Sequence, residues 1–184
     1  MQYRELEAKF VLKEPQEVFN KLKAIYGKPV EIRIWDTYFD TPDYQLLKNY
    51  SSALRLRKKD ERTFITFKRK LKEGEIFERE ELEDEVSRKV YEHILKTGRL
   101  NFYFRDIELT LYRMMDIYTI RSEFAKGITL DRVSFGDVEM FFLEVEGDKP
   151  TIEEFISKYE NEWSMQRTNI SKLEWALKIK DAQI

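Results

Sequence analysis

Apolar and charged residues alternate along most of this chain, and a helical period interrupts the alternation in a few places. In "YRELEAKF", Glu5, Glu7 and Lys9 are interleaved with Leu6, Ala8 and Phe10. An extended strand with this pattern carries charge on one face and apolar groups on the other. The same period predicts strands in "MQYRELEAKFVL", "PVEIRIWDTYFD", "SALRLRKK", "RTFITFKRK", "EIFEREELEDEV", "RDIELTLYRMMDIYTIRSEF", "KGITLDRVSFGD" and "VEMFFLEVEG". The breaks "DER" and "KEGE" predict hairpins, and "TPDY" a turn.

Helices are expected where the period lengthens. "EPQEVFNKLKAIYG" has Pro15 in its first turn, a stripe of Val18, Leu22 and Ile25, and Gly27 at its end. "SRKVYEHILKTG" has Ser87 to cap it and Gly98 to stop it. "TIEEFISKYENEW" follows Pro150 with a capping box from Thr151 to Glu154. "NISKLEWALKIK" puts Ile170, Leu173 and Leu177 on one side. No linker, repeat or low-complexity segment interrupts the chain, so residues 1–184 are expected to form one strand-rich α+β domain.

Sorting the strands by face sharpens the picture. Charged or polar residues share a parity at Glu5, Glu7 and Lys9; Arg55 and Arg57; Thr66 and Lys68; and Arg79, Glu81 and Glu83. The pattern continues at Arg113 and Arg121, at Asp131, and at Glu144 and Glu146. Two architectures fit. One is an open antiparallel sheet with its ionic face in water. The other closes the sheet into a barrel with its charges inside and amphipathic helices outside, giving a wet lumen suited to a polyanion and divalent cations. The pair in "RLR" favours the second, because arginine forks bind phosphate oxygens bidentately.

Composition narrows the chemistry. Thirty-three basic and 35 acidic residues leave a net charge of -2, which argues against broad nucleic-acid or membrane binding. There is no cysteine and one histidine, His93, so thiolate chemistry and a histidine-rich metal site are excluded. Any metal would be a hard, oxygen-liganded ion such as Mg²⁺ or Mn²⁺. No apolar run is long enough to span a bilayer, and the N-terminus lacks a signal-like segment, so a cytoplasmic location is expected.

In sequence order, "ELEAK", "DTYFDTPD", "ALRLR", "TFK", "REELE", "TLDRV" and "FLEVE" resemble the motifs of the CYTH family, also called triphosphate tunnel metalloenzymes. The resemblance covers roughly residues 1–147. It implies a closed eight-stranded antiparallel tunnel holding a linear triphosphate with Mg²⁺ or Mn²⁺, the helices of residues 151–184 packing on or capping it. Position by position, it implies that Glu5, Glu7, Glu144 and Glu146 bind metal, with Asp131 and Glu81 as further acids. Lys9, Arg55, Arg57, Lys68 and Arg113 match phosphate-binding positions, with Arg79 and Arg121 as additional basic candidates. Glu5, Glu7, Lys9, Lys68 and Tyr38 are the expected catalytic residues.

Two departures from the family pattern bear on substrate. Leu111-Tyr112-Arg113 stands where Lys-x-Arg is common, leaving Arg121 or Lys126 to replace the missing lysine. Ala53 and Leu54 offer no aromatic platform before the arginine motif, which lowers thiamine triphosphate as a substrate. "SKLEWALK" would plug one tunnel end through Lys172, or simply pack as a helix, and Trp163 and Trp175 are read as packing residues. The leading expectation is metal-dependent hydrolysis of inorganic or nucleoside triphosphate. A class IV adenylyl cyclase and a non-catalytic polyphosphate or nucleotide binder are the alternatives. A homodimer is compatible with all three.

Overall fold

The alternating segments pair into one antiparallel system. The computed structural model describes residues 2–72, 74 and 76–182. In chain order the elements are β1 (Gln2–Val11), α1 (Pro15–Tyr26), β2 (Val30–Asp40), α2 (Gln45–Tyr50), β3 (Ser52–Lys59), β4 (Arg62–Lys72) and β5 (Phe77–Glu85). There follow α3 (Arg88–Thr97), β6 (Arg99–Phe104), β7 (Ile107–Ala125), β8 (Ile128–Phe135), β9 (Val138–Glu146), α4 (Lys149–Tyr159), β10 (Gln166–Arg167) and α5 (Lys172–Ala182). The strand order β1-β5-β4-β3-β2-β7-β8-β9 returns to β1 through a β1–β9 pairing, while β10 joins β1 and β6 joins β7. The fold is a closed eight-stranded antiparallel barrel with five helices packed outside. Closure leaves no open edge among the eight strands. No described helix is long and apolar enough to cross a membrane.

Contacts divide the chain into two units. The first comprises residues 1–4, 34–71 and 79–117. Its core joins Phe39, Leu54, Leu56 and Phe67 from the strands to Leu46 of α2 and Tyr91 of α3. Phe102 and Phe104 of β6 stack around Phe67 at centroid distances of 5.1 and 4.8 Å. The second unit comprises residues 5–33, 72–78 and 118–184. Ala8, Phe10, Leu143 and Val145 from β1 and β9 pack there with Leu22 of α1 and Ile152 and Phe155 of α4. Phe10, Leu22 and Leu143 are each fully buried. Each such side chain contributes about 1.5–3 kcal/mol by leaving water. In both units the apolar strand positions meet helices, so the ionic positions occupy the opposite face, which in a closed barrel is the inner one.

Several element boundaries differ from the sequence expectation for identifiable reasons. Three elements, α2, β6 and β10, were not anticipated. The first turn of α2 is capped by upstream side chains: Thr41 Oγ1 accepts from Gln45 N at 2.8 Å, and Asp40 accepts from Leu46 N at 2.8 Å and Leu47 N at 3.1 Å. Burial pushes the Asp40 carboxyl up, against these hydrogen bonds that favour its charge. Helix α4 begins before Thr151, because Asp148 is its N-cap and accepts from Thr151 N at 2.8 Å. Ile25 is exposed although it continues the α1 stripe, and in α5 the buried residues are Lys172, Leu173 and Ala176. Ser87 and Gly98 cap α3 as the sequence suggests. The expected "KEGE" hairpin lies partly outside the described residues.

Gly127 in the β7–β8 turn has a geometric role. It has φ +79°, and a Cβ there would stand 2.2 Å from the carbonyl oxygen of Glu146. Its own carbonyl accepts from Glu146 N at 2.7 Å. Gly127→Ala should therefore displace the end of β9 and lower stability by about 1–3 kcal/mol, read by denaturant unfolding.

Candidate metal and phosphate site

The second unit contains a dense ionic cluster set by strand register. On β1 and β9, Glu7 pairs with Glu146 and Lys9 with Glu144. Alternation then puts Glu5 on the same face as Glu7. Carboxylate oxygens of Glu5, Glu7 and Glu146 all lie within 4.8 Å of one another. Ligands on opposite sides of a Mg²⁺-like ion are about 4.2 Å apart. The triad is thus close to the span that one small divalent cation closes, and its donors are all oxygen, as hard cations require. These residues fit the implied metal.

Beside the triad the charges are interlocked. Lys9 Nζ lies 3.3 Å from Glu144 Oε1 and 3.6 Å from Glu7 Oε1. On the paired strands β7 and β8, Arg121 sits opposite Asp131. Its Nε and Nη2 donate to the two oxygens of Asp131 at 2.8 and 2.7 Å, and Nη2 also donates to Glu144 at 2.6 Å. Lys172, at the start of α5, donates to Asp131 at 2.5 Å and lies 3.5 Å from Glu144. Asp131 is wholly buried, and burial alone would raise its carboxyl. Arg121 and Lys172 outweigh that and hold it below its ordinary value of 3.8. Burial works against the Arg121 charge, yet Asp131 and Glu144 hold its pKa well above normal.

The first unit has its own ionic group on β2, β3 and β4. Asp36 opposes Arg57 and Tyr38 opposes Arg55 on β2 and β3, while Arg55 opposes Thr66 on β3 and β4. Arg57 grips Asp36 with Nε and Nη2, both at 2.7 Å, and Arg55 Nη1 lies 3.7 Å from Asp36. Burial alone would lower the Arg55 pKa, but Asp36, Tyr38 and Glu81 raise it. Lys68 pairs with Glu81, Thr66 donates to Glu83 at 2.8 Å, and Arg79 is buried. Arg113 pairs with Asp116 at 2.5 Å and is much more exposed. Leu111 is fully buried in this unit's core, so the residue at the expected lysine position serves packing. Lys126 is exposed on the turn after β7.

The structure therefore brings Glu5, Glu7, Lys9, Arg121, Asp131, Glu144 and Glu146 together in the second unit. Tyr38, Arg55, Arg57, Lys68 and Glu81 are brought together in the first. One residue absent from the expected site emerges beside them: Asp36 anchors both arginines of "RLR", and its signal was parity with Tyr38 on β2. Lys172, expected either to plug a tunnel end or simply to pack with its helix, is a full member of the acidic cluster.

The CYTH domain model matches residues 3–174. The chain belongs to the CYTH family. Its fold is shared with a candidate adenylate cyclase from Bacillus halodurans (bh2851), at TM-score 0.73 and 22% identity over 93% of this chain and 95% of that one. It is shared with HpAC1 from Hippeastrum, named as a candidate adenylyl cyclase with a dominant triphosphatase activity, at TM-score 0.66 and 17% identity over 92% and 93%. The PH1819 protein from Pyrococcus horikoshii OT3 matches at TM-score 0.64 and 22% identity over 96% and 99%. No curated protein matches by sequence.

Proposed function

We propose that this protein binds a linear triphosphate together with Mg²⁺ or Mn²⁺ and hydrolyses it. The observation that carries the reading is the Glu5, Glu7 and Glu146 triad, set beside buried Lys9 and half-buried Arg121. Glu5, Glu7 and Glu146 would hold the cation, with Glu144 and Asp131 as supporting acids, while Glu81 pairs with Lys68 in the first unit. As a Lewis acid, the cation supplies charge neutralisation to phosphoryl oxygens.

The chain's own residues supply the rest. Lys9, Arg55, Arg57, Lys68, Arg79, Arg113 and Arg121 are the phosphate-binding candidates. The Asp36 grip fixes the plane of Arg57 before substrate arrives, and Asp131 does the same for Arg121. Phosphoryl transfer needs little beyond such positioning and neutralisation. Water attacks the terminal phosphorus, the P–O bond to the bridging oxygen breaks, and orthophosphate and the shortened chain leave. Tyr38, opposite Arg55 across β2 and β3, acts through that arginine.

Incubation with tripolyphosphate and with ATP, in Mg²⁺ or Mn²⁺, followed by product separation, tests this. Orthophosphate with diphosphate or ADP is the expected result. Cyclic AMP with pyrophosphate would establish the cyclase instead, and tight binding without product would establish a binder.

A further inference from the structure

Strand β6 lies outside the closed ring and hydrogen-bonds to β7 alone. In an antiparallel pair, every second residue turns both its N–H and its C=O away from the partner strand. Half of the β6 residues therefore present backbone groups to an edge for which the described residues supply no partner. The strand, RLNFYF, has no proline or lysine, and its pairing with β7 runs without a bulge. It thus lacks the devices that commonly protect an exposed edge from pairing with another chain.

The two faces of β6 differ. Leu100, Phe102 and Phe104 pack against the core of the first unit. Arg99, Asn101 and Tyr103 are exposed on the other face, Tyr103 to 67%. Beside them on β7, Tyr112 stands opposite Arg99, Thr110 opposite Asn101 and Glu108 opposite Tyr103. Arg99 lies over the Tyr112 ring at 5.9 Å, and Thr110 donates to Asn101 Oδ1 at 3.2 Å, leaving the Asn101 amide hydrogens for another acceptor.

We propose that β6 pairs antiparallel with β6 of a second copy of this chain, about a twofold axis through Asn101, and so forms a homodimer. Face and charge select this register. Directly opposed residues of an antiparallel pair share a face, so odd-numbered residues must meet odd-numbered ones for the apolar faces to coincide. An axis through Phe102 would set Arg99 against Arg105 of the second copy, and like charges directly opposite are destabilising. An axis through Asn101 sets Arg99 against Tyr103 and Leu100 against Phe102, with the two Asn101 amides facing each other. Axes further from the middle of the strand leave fewer residues paired. Each Arg99 then lies between its own Tyr112 and the second copy's Tyr103, with that copy's Glu108 one strand beyond. Symmetry repeats the row, as an isologous interface requires.

Sedimentation equilibrium over a dilution series tests the dimer, and single-cysteine cross-linking tests its register. The wild type should show twice the 22.4 kDa mass of the chain and dissociate on dilution. Tyr103→Lys sets an ammonium against Arg99 of the second copy and should raise the dissociation constant about tenfold or more. Arg99→Glu should weaken the dimer likewise, by bringing a carboxylate towards Glu108. The two substitutions together oppose unlike charges and should return the constant to within about threefold of the wild type. Because the chain has no cysteine, Asn101→Cys supplies a single thiol on the axis, and mild oxidation should join two chains through it. Thr110→Cys, one strand further from the axis, should not cross-link. Circular dichroism confirms that the variants fold. A wild-type monomer at every concentration would overturn the proposal and leave the edge to a strand of a different protein. A dimer that Tyr103→Lys leaves unchanged, or that Asn101→Cys fails to cross-link, would overturn β6 as its interface.

Discussion

Glu7→Gln is expected to lower metal-dependent release of phosphate by about 10²–10³-fold, with the fold retained. The reason is local. Glu7 is buried, faces Glu146 across β1 and β9, and contributes to the triad that spans one cation. Glutamine preserves its shape but removes one negative charge and one strong ligand. Lys9 keeps Glu144 at 3.3 Å, so the neighbouring ion pair persists. Initial rates across a Mg²⁺ or Mn²⁺ titration should show a raised metal requirement as well as a lower ceiling. Wild-type rates at every metal concentration would remove Glu7 from the metal site.

Arg121→Met should be the most destabilising single change in the cluster, by about 3–5 kcal/mol at neutral pH. It strips Asp131 of two hydrogen bonds and Glu144 of one, leaving only Lys172 and Lys9 beside two buried carboxylates. The pH dependence has a definite sign. In the wild type the folded Asp131 titrates below its ordinary 3.8, so its contribution is complete above that value and is lost as pH falls through the lowered one. Without Arg121 the carboxylate loses that protection and protonates more readily. The gap between variant and wild type is therefore full at pH 7 and narrows as pH drops below 3.8. Urea unfolding at pH 7 and at about pH 3 measures both points. A constant gap would assign the loss to packing of the arginine stem instead.

Much of this was legible in the alternation itself. Glu5, Glu7 and Lys9 on β1, and Glu144 and Glu146 on β9, could be placed on shared faces because the strand period is two and each partner face is apolar. That the two strands are neighbours needed the barrel to close, which no local pattern encodes. The pair in "RLR" was readable as a phosphate-type fork, whereas Asp36, which orients it, was marked only by its shared parity with Tyr38. The alternation of Leu100, Phe102 and Phe104 with polar neighbours did carry the signal for β6. Helix α2 is too short to show a period and depends on caps from Asp40 and Thr41. Helix α5 was legible only as an alternative: the stripe of Ile170, Leu173 and Leu177 suggested plain packing and Lys172 a tunnel plug, and Lys172 is buried because Asp131 receives it. Its burial depends on a carboxylate 41 residues away in sequence.

The central claim is that Glu5, Glu7 and Glu146 hold the cation that accompanies the triphosphate. A crystal structure with Mn²⁺ and tripolyphosphate, examined by anomalous scattering, tests it most directly. The account predicts a peak about 2.0–2.3 Å from carboxylate oxygens of all three residues. A manganese position elsewhere, with these three carboxylates bound only to water and protein cations, would contradict it.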